Sequence, residues 1–132
     1  MPEFHLTETC PFDDAYAVTI DDNGRVANAY LTFYGDVVSD VWLYNRVPTP
    51  AGSFLNTDEM PPLNPADYIK KDVIATPITD ATQVRLDWDE SADGDVEVGI
   101  LLHDKFIAEL IPGAKPGYSV LVAKDGPLAL VY

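Results

Sequence analysis

The strongest constraint on how this chain can fold is a pair of β-prone runs, Tyr16 to Asp22 and Arg25 to Leu31, that meet at Asn23-Gly24. Asn-Gly supplies the two positive-φ residues of a type I′ hairpin turn. The spacing therefore predicts an antiparallel pair in which Asp22 faces Arg25, and Ile20, Val18 and Tyr16 lie opposite Ala27, Ala29 and Leu31. Large side chains would then meet small ones along one apolar face. Similar short β-branched and aromatic runs follow at 73–78, 84–88, 96–102, 106–111, 118–123 and 128–131, and helical periodicity is almost absent. With 132 residues, 47% of them hydrophobic, the chain holds enough apolar material for one core. The reading is a single all-β domain over 1–132, an antiparallel sandwich or partly open barrel of about eight to ten strands.

The second turn has to keep Asp40 out of the core, where an unpaired carboxylate is expensive. A three-residue loop, Gly35-Asp36-Val37, does so by setting Val41 against Leu31 and Leu43 against Ala29. The opposite face then collects Asn28, Tyr30, Tyr34, Asp40, Trp42 and Tyr44, with Thr32 beside them. Aromatic rings next to a few polar groups suit a small ligand, so these six form one candidate ligand-binding set. The simpler use of that face is as a second core layer under the segment that follows.

That segment is a Pro-rich excursion over 47–66, carrying Pro48, Pro50, Pro61, Pro62 and Pro65, which deny ladder hydrogen bonds. It runs into the one good helix signal: Asn64 as N-cap, Pro65 at the first helical position, Asp67 in the first turn and Lys70-Lys71 at the end. One short helix is expected near 65–71. The final hairpin, expected to turn at Asp125-Gly126, is apolar on both faces, which places it in the middle of the fold, under the Pro-rich loop, or in a homodimer interface.

Charge decides which partners are excluded. Twenty-two Asp and Glu against eight Lys and Arg give a formal net charge of -14. Asp87, Asp89, Glu90, Asp93, Asp95 and Glu97 crowd one stretch and form the candidate partner-binding set. Such a field repels nucleic acid and anionic lipid and attracts basic proteins. No apolar run approaches the roughly 18 residues of a spanning helix. A lone Cys10 and a start without a basic flank or apolar run point to the cytoplasm.

Within the acidic stretch, Asp89, Ser91, Asp93, Asp95 and Glu97 fall at positions 1, 3, 5, 7 and 9 of a calcium loop with Gly94 at position 6. Position 12, where a bidentate Glu belongs, is Ile100, and the flanks alternate as strands, so an acidic hairpin turn is the better reading and no metal or cofactor is assigned. His5, His103 and Cys10 are thin stock for a thiol enzyme, and Asp87 with Asp89 only imitates a carboxylate pair. No catalytic residue is assigned.

The segment from Tyr16 to Gly24 with Tyr30, then Val38-Ser39-Asp40-Val41-Trp42-Leu43-Tyr44-Asn45, then Val84-Arg85-Leu86-Asp87-Trp88 before an acidic turn, an apolar hairpin and Gly117-Tyr118, resembles a family of small acidic bacterial proteins of unknown function. The resemblance implies a bacterial cytoplasmic β domain and carries over no catalytic residues. The expected function is a non-enzymatic protein-binding module that meets a basic partner through its acidic surface, in the manner of an immunity protein or antitoxin. A small-molecule-binding β domain using the aromatic face is the alternative, and a thiol or carboxylate enzyme comes third.

Overall fold

A computed structural model describes residues 3–45, 68–70 and 76–132. Alternating side chains in the first part of the chain produce a four-stranded antiparallel meander of β1 (Phe4–Thr9), β2 (Tyr16–Asp22), β3 (Val26–Phe33) and β4 (Asp36–Asn45). The second sheet runs in the order β5 (Val84–Glu90), β6 (Val96–Leu102), β7 (Lys105–Leu110), β8 (Tyr118–Ser119) and β9 (Leu130–Val131). Val18, Ile20, Ala29, Leu31 and Val41 from the first sheet share one buried cluster with Val98, Ile100, Leu102, Ala108 and Leu110 from the second. Each fully buried Leu or Ile contributes about 1.5–3 kcal/mol. The result is an open sandwich rather than a closed barrel. Among the described residues, no helix is long and apolar enough to cross a membrane.

The first hairpin turns one residue later than Asn23-Gly24 suggests. Asp22 pairs with Ala27, Ile20 with Ala29, Val18 with Leu31 and Tyr16 with Phe33. The loop is Gly24-Arg25, and of the two only Gly24 has a positive φ, 88°, as the first position of a type II′ turn requires. Asn23 instead turns its side chain inward on the loop, where Oδ1 accepts the N–H groups of Arg25 and Val26. A shift of two residues preserves the face, so the core set survives, but Asp22 moves from a pair with Arg25 to full burial.

In the second hairpin the turn is Tyr34-Gly35, both at positive φ, with Phe33 opposite Asp36. Val41 faces Ala29, not Leu31, and Ser39 faces Leu31. A register shift between Leu31 and Thr32 bulges Val38 and performs the task assigned to a longer loop: Asp40 comes opposite Tyr30 on the outer face. A second shift between Ala27 and Asn28 bulges Leu43 and sends Tyr44 to the inner face beside Ala27.

The C-terminal segment is not an antiparallel hairpin. β8 and β9 pair in parallel, Tyr118 with Leu130 and Ser119 with Val131. Between them the chain leaves the sheet, and Val122 bridges Ile69. On its return, Leu128 accepts the Trp42 N–H at 2.9 Å while Leu130 donates to the Gly117 carbonyl at 2.9 Å, so the segment lies between β4 and β8. This placement explains the absence of alternation. Leu121, Val122 and Ala129 are buried within the chain itself. On the opposite side, Trp88 Nε1 donates to Glu8 Oε2 at 2.8 Å and links β5 to β1.

Of the helix expected near 65–71, only Tyr68, Ile69 and Lys70 are described, with Ile69 in that bridge; the rest of the helix, the Pro-rich excursion over 47–66 and the start of the expected strand over 73–78 lie outside the described residues. Residues 76–79 are not a strand, although Ile78 is fully buried.

Candidate functional site

The acidic stretch is the β5–β6 hairpin. Period-two alternation puts Leu86 and Trp88 toward the core and leaves Asp87 and Asp89 exposed with Arg85 on the outer face. Glu90 ends β5, Asp93 and Asp95 stand exposed in the loop, and Glu97 is half-buried on β6. The loop holds its shape through Ser91, whose N–H donates to the Asp95 carbonyl at 2.8 Å and whose hydroxyl accepts the Asp95 N–H at 3.1 Å. Gly94 supplies the positive φ of 86° that the reversal needs.

Among the described residues, no ion pair neutralises this hairpin. Asp89 lies directly opposite Glu97, a like-charge cross-strand pair that works against the sheet. No described Lys, Arg or His forms an ion pair with any of the six carboxylates; His5 Nδ1 lies 3.4 Å from Asp21 Oδ1, an ion pair when the imidazole is protonated. Glu109 on β7 extends the patch across the sheet. Gly99, lacking a side chain, separates it from Asp87 in the same row. Burial first, and then the charge of Glu97, hold the Glu109 carboxyl above the usual range. Sequence reading missed Glu109 because its place beside the hairpin depends on the β6–β7 register.

The six residues of the aromatic set are not brought together. Asn28, Tyr30, Asp40 and Trp42 do share the outer face of the first sheet, Tyr30 opposite Asp40 and Asn28 opposite Trp42. Burial pushes the Tyr30 phenol up, with Asp21 and Asp40 adding to it, and burial likewise raises the Asp40 carboxyl against the opposing pull of Lys115. Trp42 is buried and gives its indole N–H to Asn45 at 2.9 Å. Tyr44 has gone to the core face, and Tyr34 stands at the tip of the β3–β4 turn, packed on Phe33.

Cys10 is buried, His5 is exposed against Asp21, and His103 sits in the β6–β7 turn with Nε2 3.2 Å from the Pro77 carbonyl. No thiol–imidazole hydrogen bond occurs among them. Among the described residues no group of three or more His, Cys, Asp or Glu is placed to hold a metal ion, so the oxygen donors of the calcium-like spacing do not converge. Comparison with protein-family models, curated proteins and solved structures finds no match to this chain.

Proposed function

We propose that this chain is a non-enzymatic protein-binding module that works in the bacterial cytoplasm and docks its acidic hairpin on a basic partner, inhibition of a cationic toxin or nuclease being the concrete form. The observation that carries the reading is the set Asp87, Asp89, Glu90, Asp93, Asp95 and Glu97, projecting from one hairpin with no described counter-ion. A protein that needed charge only for solubility would gain by scattering it, whereas here Asp89 is held against Glu97 at a cost to the sheet. Clustered like charge raises the encounter rate with an oppositely charged partner and makes association salt-sensitive. The same field turns away nucleic acid and anionic lipid.

Capture from a bacterial lysate at low and at high salt tests this reading. The expected result is a basic protein retained only at low salt and lost on Asp93→Lys, Asp95→Lys, Glu97→Lys. A partner held equally at both salt concentrations, or held by the charge-reversed chain, would overturn it.

A second reading, a small ligand on the outer face of the first sheet, is supported by one observation: the Asn28 side-chain nitrogen is buried without a hydrogen-bond partner, beside Tyr30 and Asp40. Tyr30→Ala removes that version and leaves hairpin docking intact.

A further inference from the structure

At one end of the sandwich the inner face of the first sheet runs past the core into solvent. Tyr16 and Phe33 are cross-strand partners on the same side as Val18, Ile20, Ala29 and Leu31, and their rings lie 4.8 Å apart. The ring of Tyr34 meets Phe33 edge-on at 4.6 Å. Phe12 in the β1–β2 loop and Val37 just after the β3–β4 turn are exposed as well, and Tyr34 N–H to Ala15 carbonyl, 2.8 Å, ties that loop to that turn.

Tyr34 is the odd residue. It is 78% exposed and sits at φ 50°, a conformation that suits Gly or Asn and strains a bulky side chain. Its ring packs on Phe33 and otherwise faces solvent, and strain of this kind gathers at binding surfaces.

Carboxylates flank these rings. Asp36 pairs with Phe33 across the turn, and Asp13 and Asp14 are exposed in the β1–β2 loop. Burial first, and then the charges of Asp13 and Asp95, hold the Tyr16 phenol above its usual range. Apolar rings rimmed by charge form the anatomy of a protein hot spot. A second copy of this chain, with the same charge of -14, is repelled.

We propose that this end of the sandwich is the specificity element of the docking surface and selects arginine over lysine in the basic partner, with the guanidinium stacked on Tyr34 and Phe33 and its N–H groups donating to the surrounding carboxylates. The proposal rests on the acidic-docking reading and names the chemistry of its partner. Lysine brings the same charge but neither a plane to stack nor a fork to bridge two oxygens.

Oligoarginine and oligolysine peptides of equal length, titrated by fluorescence anisotropy at matched salt, test it. The native chain should bind oligoarginine about five-fold more tightly. In Tyr34→Asn with Phe33→Thr the two peptides should converge, while Asp93→Asn with Asp95→Asn should weaken both and retain a preference. Tyr34→Asn alone, which puts a residue tolerant of positive φ in the turn, isolates the ring from any loss of folding. Equal affinities in the native chain, or a preference that survives loss of both rings, would overturn the proposal. If both peptides bind equally and in a salt-sensitive way, hairpin docking still stands; if neither binds at low salt, both readings fall.

Discussion

The hydroxyl of Tyr44 donates to the buried carboxylate of Asp22 at 2.6 Å, although the two residues belong to strands that are not neighbours. Ala27 on β3 lies between them, paired with both, and its single methyl leaves room for the tyrosine to reach across. Asp22 also accepts the Gly24 N–H at 2.9 Å, and Tyr44 accepts the Ile78 N–H at 3.1 Å. One row of side chains thus fixes the first turn, the end of β4 and the chain that leads into the second sheet.

Tyr44→Phe removes a donor from a buried carboxylate and an acceptor from a buried N–H. Lost partners of this kind cost about 1–3 kcal/mol. The urea midpoint of unfolding should fall accordingly with the slope unchanged. A midpoint equal to that of the native chain would show that the row is not a structural link.

Gly117 lies in backbone contact with both β4 and β7. Its N–H donates to the Asp40 carbonyl at 2.5 Å, and a Cβ there would run into the Glu109 carbonyl oxygen. Backbone cannot give way as a flexible side chain can. Gly117→Ala should therefore cost about 1–3 kcal/mol, measured as a lower melting temperature. Gly94→Ala offers a comparison at a turn where a Cβ meets no atom and only the positive φ is strained.

Glu109 titrates above the ordinary glutamate value of 4.5 because burial and Glu97 disfavour its charged form. The folded state therefore holds this proton more tightly than the unfolded chain, so its contribution favours folding below pH 4.5 and is lost as pH rises through the elevated folded value. Glu109→Gln should be the more stable protein at pH 7. Its advantage should shrink as pH falls toward 4.5, which thermal melts across that range can follow. A gain that is constant with pH would point to packing instead of charge.

Asp89→Asn should relieve the like-charge pair with Glu97 and raise stability by about 0.5 kcal/mol. The same change should weaken capture of a basic partner. Stability and binding moving in opposite directions would mark a charge retained for docking, and a loss of both would mark Asp89 as structural. Paired denaturation and binding titrations decide between them.

By itself the sequence determined the fold class, the inward and outward faces of most strands, and the sign and place of the surface charge. Period-two alternation is a local property, and β6 (Val96–Leu102) falls on the residues that alternation marks. The six hairpin carboxylates crowd one short stretch of sequence, so they were legible as a group whatever the strand register. Register was not. Asn23-Gly24 pointed to a type I′ turn with Asp22 facing Arg25, whereas the observed register pairs Asp22 with Ala27 and buries it against Tyr44, a contact across an intervening strand.

Only the tertiary structure turned Tyr44 inward, through a bulge at Leu43 that no local pattern announces, and so divided the aromatic set. It also sent 128–131 between the sheets in a parallel pairing, since a run apolar on both faces states that it must be covered without saying by what. The joining of Tyr16, Phe33 and Tyr34 has the same origin. Local sequence fixes what each side chain can do, while the packing of two sheets decides which side chains do it together.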